Sequence, residues 1–143
     1  MKKIAIFFFI IIAIVSTIAY LYLNYNANIK EAQRENLEFE RYAEKEINGL
    51  DMTTIINKAV NKNEKNQIPK DNKGKYIDNG NNSINIDIQF LDNDTTYNME
   101  TFYNNGMQNF VYYYGEIMFK CSEIQYHNNT KKIKYMKFEQ TTS

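Results

Sequence analysis

The sequence predicts an α+β protein: an N-terminal transmembrane helix extending into an amphipathic helix, then a small antiparallel sheet with a C-terminal hairpin and one or two packed helices. Three observations predict it. The chain opens with a long uncharged apolar run; a charged stretch with apolar residues at helical spacing follows; and the C-terminal half alternates apolar and polar residues between turn signals. The expected segments are 1–27 (cytoplasmic tip and anchor), 28–63 (amphipathic and second helix), 64–83 (polar loop) and 84–143 (α+β domain).

The anchor comes first. Ile4 to Leu23 reads IAIFFFIIIAIVSTIAYLYL, twenty residues without a charge. At about 1.5 Å per residue they span about 30 Å, the hydrocarbon thickness of a bilayer. Lys2 and Lys3 precede the run and, by the positive-inside rule, hold the N-terminus in the cytoplasm. Tyr20, Tyr22 and Tyr25 sit at its far end, where amphipathic rings favour the interface. The competing reading is a cleaved signal peptide with its apolar core at Ile4 to Val15 and a small-residue site at Thr17-Ile18-Ala19. The run continues past Ala19, which favours a retained anchor. No cysteine follows closely enough to accept a lipid. Both readings place the remainder outside the cytoplasm, with the lipid bilayer as the first partner.

Asn28 to Leu50 is expected to continue the helix. Ile29, Ala32, Phe39, Ala43, Ile47 and Leu50 share a stripe, and Asn36 interrupts it where an apolar residue is due. The stripe is short for a coiled coil, so packing on the chain's own sheet is the expectation. Gly49 breaks the helix. Asp51, Thr53 or Thr54 then caps a second one, ending near Asn63, with Met52, Ile55, Ile56, Ala59 and Val60 on one face. Asn61 to Asn82 reads as a loop with a short strand near Tyr76 and Ile77. Ile84, Ile86, Ile88 and Phe90 alternate with polar residues, the mark of a half-buried strand. Asp92-Asn93-Asp94 reads as a turn. Tyr97 to Tyr114 reads as one helix stopped by Gly115, with a strand over Thr95 to Tyr103 as the alternative.

Ile117 to His127 and Thr130 to Glu139 flank Asn128-Asn129, a pair that tolerates the left-handed geometry of a tight hairpin. A two-residue turn pairs Ile124 with Ile133, Cys121 with Met136 and Phe119 with Phe138. The apolar phase flips in both strands, and in this register the flips fall opposite each other. The hairpin therefore either buries different faces in its two halves or is bulged in the middle.

Little in the sequence carries catalytic chemistry. Lys+Arg and Asp+Glu number 17 each, so the net charge is zero and no nucleic-acid partner is expected. His127, the one histidine, is expected to be exposed beside the turn, without a metal or catalytic role. Cys121, the one cysteine, is expected to be a small buried strand residue. Asp92 and Asp94 suit a turn better than calcium, and Asp71 and Asp78 also lack that spacing. Glu31, Glu35, Glu38 and Glu44 read as a solvated helix face. Tyr112, Tyr113 and Tyr114 could offer an aromatic patch to a glycan or a protein, but two packing inward and one reaching out is the plainer expectation. Asn81, Asn93 and Asn128 each begin an Asn-x-Ser/Thr triplet, expected by chance in so Asn-rich a chain. No catalytic residue, metal or cofactor is assigned, and the chain is read as a non-enzymatic protein.

The run Gly49-Leu50-Asp51 through Ile55-Ile56-Asn57-Lys58, and Phe119-Lys120-Cys121 with Ile124-x-Tyr126-His127, resemble an uncharacterised family of N-terminally membrane-anchored proteins of low-GC Gram-positive bacteria. That resemblance covers about the final two-thirds of the chain and implies no activity. The layout of an apolar helix, an amphipathic continuation and a small α+β head also resembles that of type IV pilin-like proteins. This sequence departs from them in lacking a glycine-ended basic leader before the apolar run and an acidic residue near its start. The reading is a single-pass envelope protein holding a small interaction domain outside the membrane, with another envelope protein or self-association as further partners. The alternative is a pilin-like subunit assembling through its N-terminal helix.

Overall fold

The computed structural model describes residues 1–92 and 95–141. It has the α+β fold expected: a long N-terminal helix, three shorter helices and a five-stranded mixed sheet.

Helix α1 (Lys2–Ala43) runs 42 residues, about 63 Å at the helical rise. No proline or glycine interrupts it, and Thr17 turns its hydroxyl back onto the Ala13 carbonyl (2.8 Å). Every residue from Ile4 to Leu23 is exposed, and this part is long and apolar enough to cross a membrane. Farther along, Ala32, Asn36 and Phe39 are buried. Their spacing of four and three puts them on one stripe facing the sheet. The stripe thus packs on the chain's own sheet, as expected, but the helix stops at Ala43, short of Leu50. Ile47 instead enters β1 (Ile47–Asn48) opposite Phe119, and Leu50 is exposed.

Helix α2 (Gly49–Lys65) is capped by Asn48, whose side chain accepts the Asp51 N–H (2.9 Å). The expected caps fall inside the first turns, where Thr53 and Thr54 bond back to the Leu50 carbonyl. Gly49 does not break a helix; it starts one against the end of another. A Cβ there would lie 2.0 Å from the Tyr114 carbonyl oxygen, and its N–H bonds the Gly115 carbonyl (3.1 Å). The anticipated face of Met52, Ile55, Ile56, Ala59 and Val60 is buried. Below it Asn63 grips the backbone of Ile84 through both of its amide atoms, at 2.7 and 2.8 Å.

The sheet order is β1-β4-β5-β2-β3, with β2 (Asn85–Gln89), β3 (Thr96–Asn98), β4 (Met118–Tyr126) and β5 (Ile133–Gln140). It is antiparallel except where β2 pairs in parallel with β5, Ile86 opposite Met136 and Ile88 opposite Phe138. The connection between them is long and carries β3, two helices and β4. The stretch read as one helix from Tyr97 is in fact β3, then α3 (Met99–Asn105) and α4 (Met107–Tyr114). Asn98 ends the strand and caps α3, and Gly106 at φ 92° separates the two helices. Of the expected Asp92-Asn93-Asp94 turn, Asn93 and Asp94 lie outside the described residues. The short strand near Tyr76 is a single bridge between Lys70 and Tyr76.

The C-terminal hairpin is present in another register. Ile124 pairs with Met136, Cys121 with Phe138 and Phe119 with Gln140. The turn takes four residues, closed by bonds between His127 and Lys132 (2.8 Å) and between Lys131 and His127 (2.9 Å). Lys131 holds the left-handed position at φ 61°. The cause lies on α1. The Asn36 amide, 6% exposed, donates to the Lys131 carbonyl (2.8 Å) and accepts the Ile133 N–H (2.9 Å). Irregularities between Cys121 and Glu123 and between Gln125 and Tyr126 absorb the two phase flips, so the hairpin is bulged.

Polar contacts tie the parts together. Glu35 lies between Lys62 (3.3 Å) and Lys132 (3.4 Å). Burial opposes its charge, but the two ammonium groups outweigh burial and hold its pKa below the usual carboxylate value. Tyr126 donates to Glu40 of α1 (2.9 Å) and Tyr135 of β5 to Asp87 of β2 (3.1 Å).

Replacing Asn36 by Leu would restore the apolar stripe, yet it orphans two backbone groups. Asn36→Leu is expected to lose about 3 kcal/mol in a denaturant titration, where pattern alone predicts a gain. The phenols supply a second expectation. Desolvation first, and the carboxylates of Glu64 and Glu40 second, push Tyr76 and Tyr126 up to about 12. The stability they contribute is full below the unfolded phenol's pKa of about 10 and is lost as pH rises toward 12. Burial first, and then the Asp87 carboxylate, also hold Tyr135 up, so absorbance at 295 nm should show three late-ionising tyrosines, and Tyr126→Phe should remove one.

Candidate binding cleft

The candidate site is an aromatic cleft where α3 and α4 lean over one end of the sheet. Helix α4 has eight residues, so it can bury one narrow face. Phe110 and Tyr114, four apart, take that face. Tyr112 and Tyr113 then point away and are 83% and 69% exposed. This reverses the expectation that two of the three tyrosines pack inward: a helix this short, with Phe110 fixing its inner face, leaves room for Tyr114 alone.

The rings form a continuous stack. Phe119 in the core lies 5.7 Å from Phe90, Phe90 lies 4.7 Å from Tyr114, and Phe102 lies 5.0 Å from Phe110. Such edge-to-face and tilted pairs fix ring orientation as well as burying area. Two adjoining hollows open beside this stack. One, about 440 Å³, lies between Phe90, Tyr97, Phe102 and Tyr114, with Asp92 and Gln140 at its edge. The other, about 280 Å³, lies between Asn105, Asn109, Phe110 and Tyr113. Phe102, Asn105 and Tyr114 belong to both. The larger falls within the roughly 300–1,000 Å³ of small-molecule sites. Among the described residues no Lys, Arg or His lines either hollow.

The cleft lies at the end of the head far from the apolar half of α1. Contacts along α1 show this in order. Asn129 and Thr130 share a hollow with Tyr25 and Asn28; Ile133 meets Asn36; Tyr126 meets Glu40. Past the helix end, Ile47 pairs with Phe119. The strands thus climb away from the hairpin tip, and Phe90, Ile117 and Gln140 of the cleft lie at the other end.

The other residues weighed from sequence are turn and core residues. His127 is buried at 2%, not exposed. Its Nε2 sits 2.8 Å from the Ser83 carbonyl and its Nδ1 3.7 Å from Asp78. The 78–83 loop folds over the hairpin end and covers it. Asp78 accepts from Gly80 (2.8 Å), and that bond, with His127 and Lys134 beyond it, holds its pKa low. Asp71 accepts from Lys73 and Lys75, and these backbone bonds lower its pKa likewise. Cys121 is half-buried, its thiol 3.4 Å from the Glu123 carbonyl, and burial pushes its pKa up, away from the reactive thiolate. Glu35 is an ion-pair centre, whereas Glu31, Glu38 and Glu44 are exposed, as a solvated helix face requires. Among the described residues no three His, Cys, Asp or Glu side chains gather to hold a metal. The cleft itself was not foreseen: its walls come from β3, α3, α4, β5 and the residues just after β2 and just before β4, far apart in sequence.

No model of a known protein family, no curated protein and no solved structure matches the chain.

Inner and outer aromatics should separate cleanly on substitution. Phe110→Ala is expected to lose about 3–5 kcal/mol, whereas Tyr112→Ala and Tyr113→Ala should each stay within about 0.5 kcal/mol of the parent. Thermal unfolding followed by circular dichroism measures the contrast.

Proposed function

We propose that the chain is a non-enzymatic, single-pass membrane protein that holds a small interaction domain at the outer face of a bacterial cell membrane, with its N-terminus in the cytoplasm. The observation that carries this reading is the division of α1. Its first half is apolar on every side and exposed, while Ala32, Asn36 and Phe39 of its second half are part of the head's interior. An exposed apolar surface of that size needs a lipid or protein environment. Lys2 and Lys3 favour the cytoplasmic side for the short end. With that topology the aromatic cleft faces away from the bilayer, toward soluble or wall-bound partners.

A pilin-like subunit is the second reading, favoured by the bare apolar half of α1. Because the amphipathic stripe is already covered by the sheet, such a subunit would assemble through Ile4 to Leu23. Concentration-dependent crosslinking between cysteines placed in that run would support it.

Topology is tested in intact cells with Lys2→Cys or Lys73→Cys in a Cys121→Ser background. An impermeant thiol reagent is expected to label position 73 and spare position 2, on a protein retained in the membrane fraction. Labelling at position 2 alone, or a shortened protein in the medium, overturns the anchored reading.

A further inference from the structure

We infer that the cleft is a saccharide site that takes a short neutral oligosaccharide; the inference rests on the interaction-domain reading and names its ligand class. Among the described residues, ring faces and amides meet there without a cation. Phe102 and Tyr114 wall both hollows, and Tyr113 stands at the mouth, 69% exposed. A pyranose presents C–H groups on its flat face and hydroxyls around its rim. The faces pack on rings; the rim needs groups that both donate and accept.

Asn105 supplies both. It lines both hollows, and among the described residues its side-chain amide carries no hydrogen bond, while its backbone carbonyl accepts from Asn109 Nδ2 (2.7 Å). A carboxamide has two donors and a two-lone-pair acceptor. The bond to Asn105 also steers the Asn109 amide and leaves its Oδ1 as an acceptor.

Charge and polarity narrow the class further. Among the described residues, a phosphate or carboxylate ligand would find no cation in the lining and would meet Asp92. A wholly apolar ligand would strip water from Asn105 and give nothing back, at a cost of about 1–3 kcal/mol. A neutral ligand with one apolar face and many hydroxyls meets both demands. Two hollows side by side, about 440 and 280 Å³, suit consecutive sugar rings rather than one. Their position at the far end of the head leaves both open to a polymer passing over it.

The test uses the full chain in lipid nanodiscs, which avoids sugar-headed detergents. Cellotetraose, maltotetraose and the tetramer of N-acetylglucosamine are the probes, followed by saturation-transfer NMR and titration. At least one is expected to bind with its ring C–H protons saturated from the aromatic resonances. Asn105→Ala and Tyr113→Ala should each weaken it about tenfold, and Tyr112→Ala, whose ring lies outside the lining, should not. Absence of binding at millimolar sugar, by a chain with an intact circular dichroism spectrum, overturns the proposal. So does binding that ignores Asn105→Ala. The cell-labelling experiment is independent: outward labelling with inert sugars removes the saccharide and keeps the exported domain, whereas inward labelling removes that domain whatever the sugars do.

Discussion

The amide of Asn36 holds the hairpin at a defined length, and much of the sheet follows from it. Its two bonds, to the Lys131 carbonyl and the Ile133 N–H, pin the start of β5 to α1. With β5 fixed there, the turn needs four residues, the pairing of β4 shifts, and bulges become necessary to keep Phe119, Met136 and Phe138 inside. A side chain that sequence pattern marks as a defect in an apolar stripe is therefore the register lock. Asn63 plays the matching part for β2 by gripping Ile84. Two buried carboxamides, each bonded through both its nitrogen and its oxygen, attach the two strands of the parallel pair to two different helices. Burial of such groups is tolerable because donors and acceptors are matched, and that matching discriminates against slipped pairings.

Much of this was readable from the residues, and what was not has identifiable causes. Ile84 to Phe90 and the inner face of α2 were legible because each repeats one period over several residues. The apolar run was legible by length alone. The hairpin existed where the turn signal placed it, but its register turned on Asn36, about a hundred residues away, which no local pattern reveals. Lys131, an unpromising residue for positive φ, took the position that Asn128 and Asn129 seemed made for. His127 was misjudged because the cover over it comes from residues 78–83. The stretch from Tyr97 to Tyr114 showed helical spacing throughout, yet Asn98 and Gly106 impose their own geometry and cut it into a strand and two helices.

That division is also what makes the cleft. A single helix from Tyr97 to Tyr114 would lay its apolar face flat on the sheet. The break at Gly106 lets α3 and α4 meet at an angle, and the rings of Phe102, Phe110 and Tyr114 converge there, 5.0 to 6.2 Å apart. Convergence of large rings leaves hollows that smaller side chains cannot fill, and Asn105 and Asn109 occupy the rim because they end one helix and begin the next. Aromatic content that serves the core at Phe119 thus grades into surface at Tyr113 with no polar layer between.

Helix α1 passes from its apolar half into the head with no linker. A head on a flexible tether sweeps a volume that grows with the tether's length. A head built onto a continuous helix keeps one tilt and one altitude. From Leu23 to Ala43 the rise is about 30 Å, so under the proposed topology the cleft patrols a thin layer parallel to the bilayer. Its capture zone is set by helix length counted in residues: removing four residues would lower it by about 6 Å and rotate the face it presents by about 40°.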